Sequence, residues 1–192
     1  MILNDAPEIL VFAGPNGSGK STISRAWEKK GLYINADDIK TARGCSDLRA
    51  AQEAERLRES CLSAGRSFTF ETVLSTGNNL NLLRRAKNEG YRIEGVFVLT
   101  ADPELNVFRV KSREMSGGHP VPPDKIRSRY RRSLANMAEL MELCDVFRLV
   151  DNTDQPEILL KKDSTGLQLQ AANRYWTVDR INSLITAESL LL

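Results

Sequence analysis

The feature that most constrains this chain is a glycine-rich octapeptide that follows a short apolar run. Residues 9–13 read Ile-Leu-Val-Phe-Ala, and residues 14–21 read Gly-Pro-Asn-Gly-Ser-Gly-Lys-Ser. The octapeptide matches the G-x-x-x-x-G-K-[ST] pattern between a strand and a helix-compatible stretch, Ser21 to Lys30. Backbone N–H groups of such a loop enclose a phosphate, and the positive end of the helix favours its charge. We therefore predict that ATP or GTP binds here, with Lys20 on the β- and γ-phosphates and the Ser21 hydroxyl on Mg²⁺.

The composition is ordinary for a globular protein with one domain, residues 1–192. Hydrophobic residues make up 41% and charged residues 27% of the chain, so a sizeable core can form. The net charge of +2 gives no argument for a nucleic-acid partner. Three scattered cysteines are too few for a disulfide framework or a metal cluster. Since no signal-peptide pattern or membrane-length apolar run occurs, we expect a cytoplasmic protein that does not bind a membrane.

Strand-like and helix-like segments alternate along the chain, which is typical of an α/β fold with a mostly parallel sheet flanked by helices. Five strands are predicted near Ile9–Ala13, Leu32–Asn35, Ser67–Thr72, Ile93–Thr100 and Val146–Val150. Apolar residues at steps of three and four predict the longest helix from about Pro123 to Leu143. The remaining predicted elements are a small C-terminal hairpin of strands Glu157–Leu160 and Leu167–Gln170, and a helix within Tyr175–Leu192.

Two carboxylates are predicted at the sheet edge that carries the glycine-rich loop. Asp37 follows the second strand and Glu71 lies at the end of the third, and ligands of parallel sheets collect at the carboxyl ends of strands. Asp37 can there accept the proton of an attacking hydroxyl or hold Mg²⁺ through water. Alternatively, Asp37 or Asp38 is the N-cap of the next helix, and Glu71 is a solvated residue at a strand end. Because one helix start needs only one cap, Asp37 and Asp38 are not both expected to be caps, and a chemical role is favoured for one of them.

A helical lid is predicted over about residues 109–132, where a Gly-Gly-His-Pro-Val-Pro loop at 117–122 joins two basic helices. Its basic residues are Arg109, Arg113, Lys125, Arg127, Arg129, Arg131 and Arg132. One interpretation is a lid that closes over phosphates and supplies arginine charge to them. A solvated helix face and a nucleic-acid-binding stripe are the alternatives, and the near balance of charge argues against nucleic acid. His119 is the only histidine, so a metal site is disfavoured, and it is expected to contact substrate or to shape the loop.

Six ordered motifs resemble those of the zeta-toxin-like P-loop kinases, especially their short, single-domain bacterial branch. They are G-P-N-G-S-G-K-S-T at 14–22, I-N-A-D-D-I at 34–39, F-E-T at 70–72, G-G-H-P-V-P at 117–122, I-R-S-R-Y-R-R-S-L at 126–134 and V-D-N at 150–152. The resemblance runs from about residue 8 to residue 152, which is most of the chain. The ordered set is far more specific than the phosphate loop alone.

The resemblance implies a P-loop NTPase fold and ATP- and Mg²⁺-dependent phosphorylation of a small molecule, a UDP-N-acetylated amino sugar. It also implies an antitoxin partner. The catalytic residues expected from it are Asp37 as the base, Lys20, and the lid arginines Arg113, Arg127 and Arg131. The residues expected at the nucleotide are Gly14, Pro15, Asn16, Gly17, Ser18, Gly19, Lys20, Ser21, Thr22 and Asn152. Those expected at the substrate are Asp37, Glu71, Thr72 and His119. The alternative function is a nucleotide-dependent ATPase or switch that binds nucleic acid through the basic lid helix.

Overall fold

In a computed structural model, which describes residues 6–118 and 120–186, the chain folds around one seven-stranded sheet. In chain order the strands are β1 (Glu8–Ala13), β2 (Leu32–Ile34), β3 (Phe68–Thr72), β4 (Arg92–Leu99), β5 (Val146–Asp151), β6 (Glu157–Asp163) and β7 (Gly166–Leu169). Their order across the sheet is β2-β3-β1-β4-β5-β6-β7. The first five strands of that order are parallel, whereas β6 and β7 are each antiparallel to the strand before them. The α/β prediction with a mostly parallel sheet is confirmed.

The sheet is wider than the five strands predicted from the sequence. The predicted C-terminal hairpin forms, but β6 also pairs with β5, so that Leu149 lies opposite Leu160 and Phe147 opposite Lys162. Without β6, the N–H and C=O groups on one side of β5 would lack ladder partners, and such an open edge promotes pairing with other chains. The hairpin therefore extends the main sheet to seven strands, and β7 becomes its edge.

Eight helices flank the sheet among the described residues. They are α1 (Lys20–Arg25), α2 (Ala36–Arg43), α3 (Asp47–Ser63), α4 (Asn78–Asn88), α5 (Pro103–Met115), α6 (Pro123–Ala135), α7 (Met137–Leu143) and α8 (Val178–Thr186). Polar side chains begin three of them, because Asn35, Ser46 and Asp102 each accept a hydrogen bond from a first-turn N–H of α2, α3 and α5. None of these helices is long and apolar enough to cross a membrane.

The prediction of one helix from Pro123 to Leu143 is wrong, because the chain breaks at Asn136 into α6 and α7. The apolar pattern continues across the break, with Leu134 and Met137 both buried. The Asn136 side-chain amide donates to the Leu74 carbonyl, 2.8 Å away, in the loop after β3. This contact ties the end of α6 to the sheet edge that carries the glycine-rich loop. The longest helix in the described ranges is α3, with 17 residues.

Two other helices are shorter than predicted. α1 ends at Arg25 rather than near Lys30, because the chain turns back there towards β2. The Lys29 ammonium donates to carbonyl groups of that turn and so stabilises it. α8 begins at Val178, and residues 187–192 of the predicted C-terminal helix lie outside the described residues.

The core lies on both faces of the sheet, which explains why β1, an interior strand, is apolar at successive positions. Ile9 and Val11 of β1 face the larger cluster, to which α3, α4, α7 and α8 contribute. Leu10 and Phe12 face the smaller cluster, against α1 and its C-terminal turn. All four side chains are fully buried. A strand covered on both faces in this way is typical of parallel sheets.

Candidate active site

The glycine-rich loop leaves β1 and enters α1 at Lys20. Gly14 has a φ of +139°, and a Cβ atom there would lie 2.0 Å from the Val98 carbonyl oxygen. Gly19 has a φ of +90°, and a Cβ atom there would lie 2.1 Å from the Asn152 amide nitrogen. Only glycine satisfies both the backbone conformation and the contact at these positions. The loop is therefore packed tightly against β4 and the end of β5, in a shape that lets its N–H groups line a phosphate site.

Two asparagines from neighbouring elements hold this loop in place. Asn106 of α5 is fully buried and donates from Nδ2 to the Asn16 carbonyl at 2.7 Å. Asn152, which the sequence analysis expected at the nucleotide, donates from Nδ2 to the Ser18 carbonyl at 2.8 Å. Its side-chain amide therefore stabilises the backbone of the loop. Asn106 was not predicted, because a single polar residue inside a helix carries no sequence signal of its role. Both contacts preorganise the loop for a ligand.

Lys20 lies among charged groups from three other elements. Its ammonium donates to the Pro15 carbonyl at 2.9 Å. Burial lowers the pKa of Lys20 to about 8. The carboxylates of Glu71 and Asp37 counteract part of this effect, and the Arg113 guanidinium adds to it. The structure thus brings Lys20, Glu71, Asp37 and Arg113 within electrostatic reach of one another at the loop.

Glu71, at the end of β3, is the centre of a hydrogen-bond network. The Ser21 hydroxyl donates to Oε2 at 2.8 Å, and the hydroxyls of Ser24 and Tyr33 donate to Oε1 at 2.5 and 2.6 Å. Burial, followed by the bond to Glu71, raises the pKa of Tyr33 to about 12, so the phenol remains a donor at neutral pH. Glu71 therefore faces Ser21, the expected Mg²⁺ ligand, and not solvent. The sequence analysis did not predict Ser24 and Tyr33 as site residues. Ser24 follows Ser21 by three positions, and Tyr33 precedes Asp37 by four.

The donor set here fits Mg²⁺ when nucleotide phosphates complete it. The Ser21 hydroxyl and the Glu71 carboxylate are both hard oxygen ligands, and they lie 2.8 Å apart. Throughout residues 6–118 and 120–186, no group of three or more His, Cys, Asp or Glu side chains is placed to hold a metal ion. Mg²⁺ typically takes one or two protein oxygens and fills its other positions with water and phosphate, which matches this site.

The two aspartates after β2 lie in the first turn of α2, and neither of them is its cap. Asn35 is the cap, since its side chain accepts a hydrogen bond from the Asp37 N–H at 2.9 Å. The cap alternative is therefore excluded for Asp37, whose exposed side chain lies at the same end of the sheet as the loop. Burial, followed by the charges of Glu71 and Asp37, raises the pKa of Asp38.

The arginines of the predicted lid differ in their positions. Arg129 of α6 points to the loop, with Nη1 3.4 Å from the Asn16 side-chain oxygen. Arg127 instead joins α6 to α5, because its Nε and Nη2 lie 2.6 and 2.9 Å from the carboxylate oxygens of Glu104. Hydrogen bonds to that carboxylate raise the pKa of Arg127. Arg131 is exposed on α6.

Three other sequence candidates have the following positions. The Thr72 hydroxyl accepts a hydrogen bond from the Leu74 N–H at 2.9 Å and so shapes the loop after β3. Arg109 donates to two carbonyl oxygens of the loop after β5, each at 2.8 Å. It therefore anchors the lid helix α5 to the sheet. His119 lies outside the described residues.

Together, the parallel sheet and the glycine-rich loop between β1 and α1 are those of a P-loop fold. A model of the zeta toxin family matches residues 3–164, and the chain therefore belongs to the zeta toxin family. This confirms the family resemblance that the six motifs indicated. An uncharacterized protein of Haemophilus influenzae (strain Rd) is 27% identical over 128 residues, which are 63% of this chain and 91% of that protein.

Two solved structures show the same fold. AvrRxo1-ORF1:-ORF2 with ATP gives a TM-score of 0.71 at 15% identity, over 96% of this chain and 65% of the matched chain. The PezAT chromosomal toxin–antitoxin system of Streptococcus pneumoniae gives a TM-score of 0.59 at 18% identity, over 96% of this chain and 80% of the matched chain. This chain thus spans 65% of the length of the AvrRxo1 chain that it matches.

Proposed function

We propose that this protein is an ATP- and Mg²⁺-dependent phosphotransferase that passes the γ-phosphate to a hydroxyl group of a small molecule. The observation that carries the proposal is that two carboxylates lie at the edge of the sheet that carries the loop: Glu71, 2.8 Å from the Ser21 hydroxyl, and Asp37, in the first turn of α2. In a site that only binds MgATP, the carboxylate beside Ser21, Glu71, can serve as a Mg²⁺ ligand. A second carboxylate repels the phosphates, and it is useful where a hydroxyl must lose a proton.

On the donor side, the N–H groups of the loop and Lys20 would bind the β- and γ-phosphates. Bound Mg²⁺ would supply charge neutralisation on the same phosphates. The Ser21 hydroxyl would ligate it, and Glu71, 2.8 Å from that hydroxyl, would ligate it directly or orient one of its waters. The negative charge of ATP would restore full protonation of Lys20, because a nearby anion raises the pKa of an ammonium group.

On the acceptor side, Asp37 would take the proton of the attacking hydroxyl. The hydroxyl oxygen then bonds to the γ-phosphorus, while the bond from the γ-phosphorus to the β–γ bridging oxygen breaks and ADP leaves. Asn35 keeps Asp37 in the first turn of α2, at the edge of the sheet that carries the loop. Asp38, with its raised pKa, places a second proton-accepting group beside the base.

The lid would add positive charge around the transferring phosphoryl group. Two arginines already lie near the loop. The Arg113 guanidinium helps to lower the pKa of Lys20, and Arg129 Nη1 lies 3.4 Å from the Asn16 side-chain oxygen. Arg127 is paired with Glu104, and Arg131 is exposed. We therefore propose that these last two arginines join the phosphates only when the lid rearranges, as lids do on substrate binding.

The acceptor that we propose is a UDP-N-acetylated amino sugar, as the family resemblance implies, and the partner is an antitoxin. The likeness to PezAT, a toxin–antitoxin system, supports an antitoxin partner. The alternative of an ATPase or switch bound to nucleic acid is less favoured. Arg127 of the basic lid helix already pairs with Glu104 and Asp124, which reduces the charge available to phosphates of a nucleic acid.

A transfer assay with labelled ATP, Mg²⁺ and UDP-N-acetylglucosamine tests the proposal, with the products identified by mass spectrometry. The wild-type protein should form a phosphorylated sugar nucleotide. Asp37→Asn should transfer phosphate about 10²–10⁴-fold more slowly, while ATP binding stays intact. Glu55→Gln is the matched control, since Glu55 is an exposed carboxylate of α3.

Two outcomes would contradict parts of the proposal. If Asp37→Asn transfers phosphate at the wild-type rate, Asp37 is not the base. If the wild-type protein forms only ADP and free phosphate from ATP with a metabolite extract that contains nucleotide sugars, the protein is an ATPase.

A further inference from the structure

A chain of three hydrogen bonds joins Glu71 to the first turn of α2, which carries Asp37. The Tyr33 hydroxyl donates to Glu71 Oε1 at 2.6 Å and accepts from Asn35 Nδ2 at 3.1 Å. The other end of the same amide, Asn35 Oδ1, accepts from the Asp37 N–H at 2.9 Å. We propose that Tyr33 and Asn35 act as one positioning unit, which sets where Asp37 lies relative to Glu71. The inference rests on the proposed function, because it concerns the residues that would hold Mg²⁺ and accept the proton.

The direction of each bond follows from which groups can donate. A backbone N–H can only donate, so Asn35 turns its oxygen to Asp37 and its NH₂ group to Tyr33. The phenol oxygen accepts from that NH₂ group, and its own proton goes to the Glu71 carboxylate, which accepts. Each group in the chain thus has a partner of the opposite kind, and hydrogen bonds in such a chain strengthen one another.

Asn35 makes one hydrogen bond more than a helix cap requires. Asn, Asp and Ser stabilise a helix start about equally, because each supplies an oxygen to a first-turn N–H. Of these three residue types, only Asn also has an NH₂ group, and here that group is bonded to Tyr33. The second bond of Asn35 therefore has a role that capping does not explain.

The start of α2 depends on this contact, because core packing holds it only weakly. β2, which precedes α2, has three residues and lies at the end of the sheet order, where it pairs with β3. None of the eight residues of α2, all within the described part of the chain, is fully buried. The bond from Tyr33 to Glu71 ties this edge strand and the helix after it to the end of β3.

On the side of Glu71, the unit determines which carboxylate oxygen faces the loop. Oε1 accepts from both Tyr33 and Ser24, whereas Oε2 accepts from the Ser21 hydroxyl. Tyr33 and Ser24 therefore keep Oε2 directed at the residue that would ligate Mg²⁺. A group that orients a metal ligand in this way typically contributes about 10–100-fold to metal affinity or activity.

The ratio of the ATP dissociation constants in EDTA and in Mg²⁺, measured by calorimetry, tests the inference without any transfer of phosphate. Tyr33→Phe removes the hydroxyl and keeps the ring, and it should lower this ratio about tenfold. Asn35→Ser keeps a cap and removes the NH₂ group, and it should also lower the ratio, although Tyr33 stands between Asn35 and Glu71. The double variant should lose no more than Tyr33→Phe alone, because residues that act as a unit are not additive.

Ser46→Ala is the matched control. It removes the cap of α3, so it should lower the free energy of unfolding in urea and leave the ratio unchanged. In the transfer assay, both single variants should lower kcat about tenfold, because the base and the metal ligand are no longer held together.

Three results would overturn the inference. They are a wild-type protein that binds ATP equally well in EDTA, an Asn35→Ser variant with the wild-type ratio, and a double variant whose loss is the product of the two single losses. The proposed function fails separately. If the variants lower the ratio as expected but the wild-type protein transfers no phosphate, the positioning unit stands and the kinase proposal does not.

Discussion

The affinity for ATP should fall as the pH rises through the pKa of Lys20, which burial lowers to about 8 in the nucleotide-free protein. Bound phosphates would keep the ammonium protonated, so only the protonated fraction of the free protein binds well. With a pKa of about 8, that fraction is about 0.9 at pH 7 and about 0.1 at pH 9. The dissociation constant should therefore rise about tenfold over this range, and binding at pH 8 should take up about half a proton.

Calorimetric titration with MgATP in buffers of different ionisation enthalpy measures the affinity and the proton uptake together. A terminal phosphate has a second pKa of about 6, so the charge of the ligand itself changes little above pH 7. Lys20→Arg keeps its charge throughout, because a guanidinium has a pKa above about 12, and its affinity should not vary with pH in this range. Equal wild-type affinities at pH 7 and pH 9, or a decline that persists in Lys20→Ala, would refute the reasoning.

Two further variants test the contacts around the loop. Glu71→Gln removes the charge beside Ser21, so the preference for MgATP over ATP in EDTA should shrink, as calorimetry can measure; an unchanged preference would exclude Glu71 from the metal site. Asn106→Ala removes the buried hydrogen bonds to Thr100 and Asn16, so the free energy of unfolding in urea should fall by about 1–3 kcal/mol. A variant as stable as the wild type would contradict this role of Asn106.

The elements with a short-range signal were predictable. The first five strands agree with the sequence prediction to within one residue at each end, because each is rich in apolar residues, continuous in β1 and alternating in β3, and is bounded by polar or turn-forming residues. The break at Asn136 was not predictable, since the contact that accompanies it joins residues 62 positions apart. Likewise, the apolar pattern of α6 continues into α7, and nothing in its spacing marks the break.

The candidate site also contains a part that local sequence predicts and a part that it does not. The glycine-rich loop with Lys20 and Ser21 is contiguous, so its residues and its place between strand and helix follow from local sequence. The partners of Glu71, by contrast, come from two other elements, and the bonds from Ser24 and Tyr33 span 47 and 38 positions. Such bonds depend on how the strands are ordered in the sheet, which local spacing does not encode.

The sequence by itself determined that a phosphate loop lies on a parallel sheet beside two carboxylates and a basic helix pair. Only the tertiary structure decided that Asn35 is the cap of α2, that Arg127 pairs with Glu104 while Arg129 turns to the loop, and that the C-terminal hairpin widens the sheet. The physical reason is the sequence separation over which each kind of interaction acts. Motifs and periodicity act over a few residues, whereas the direction of a side chain and the pairing of an edge strand result from many weak contacts between distant segments.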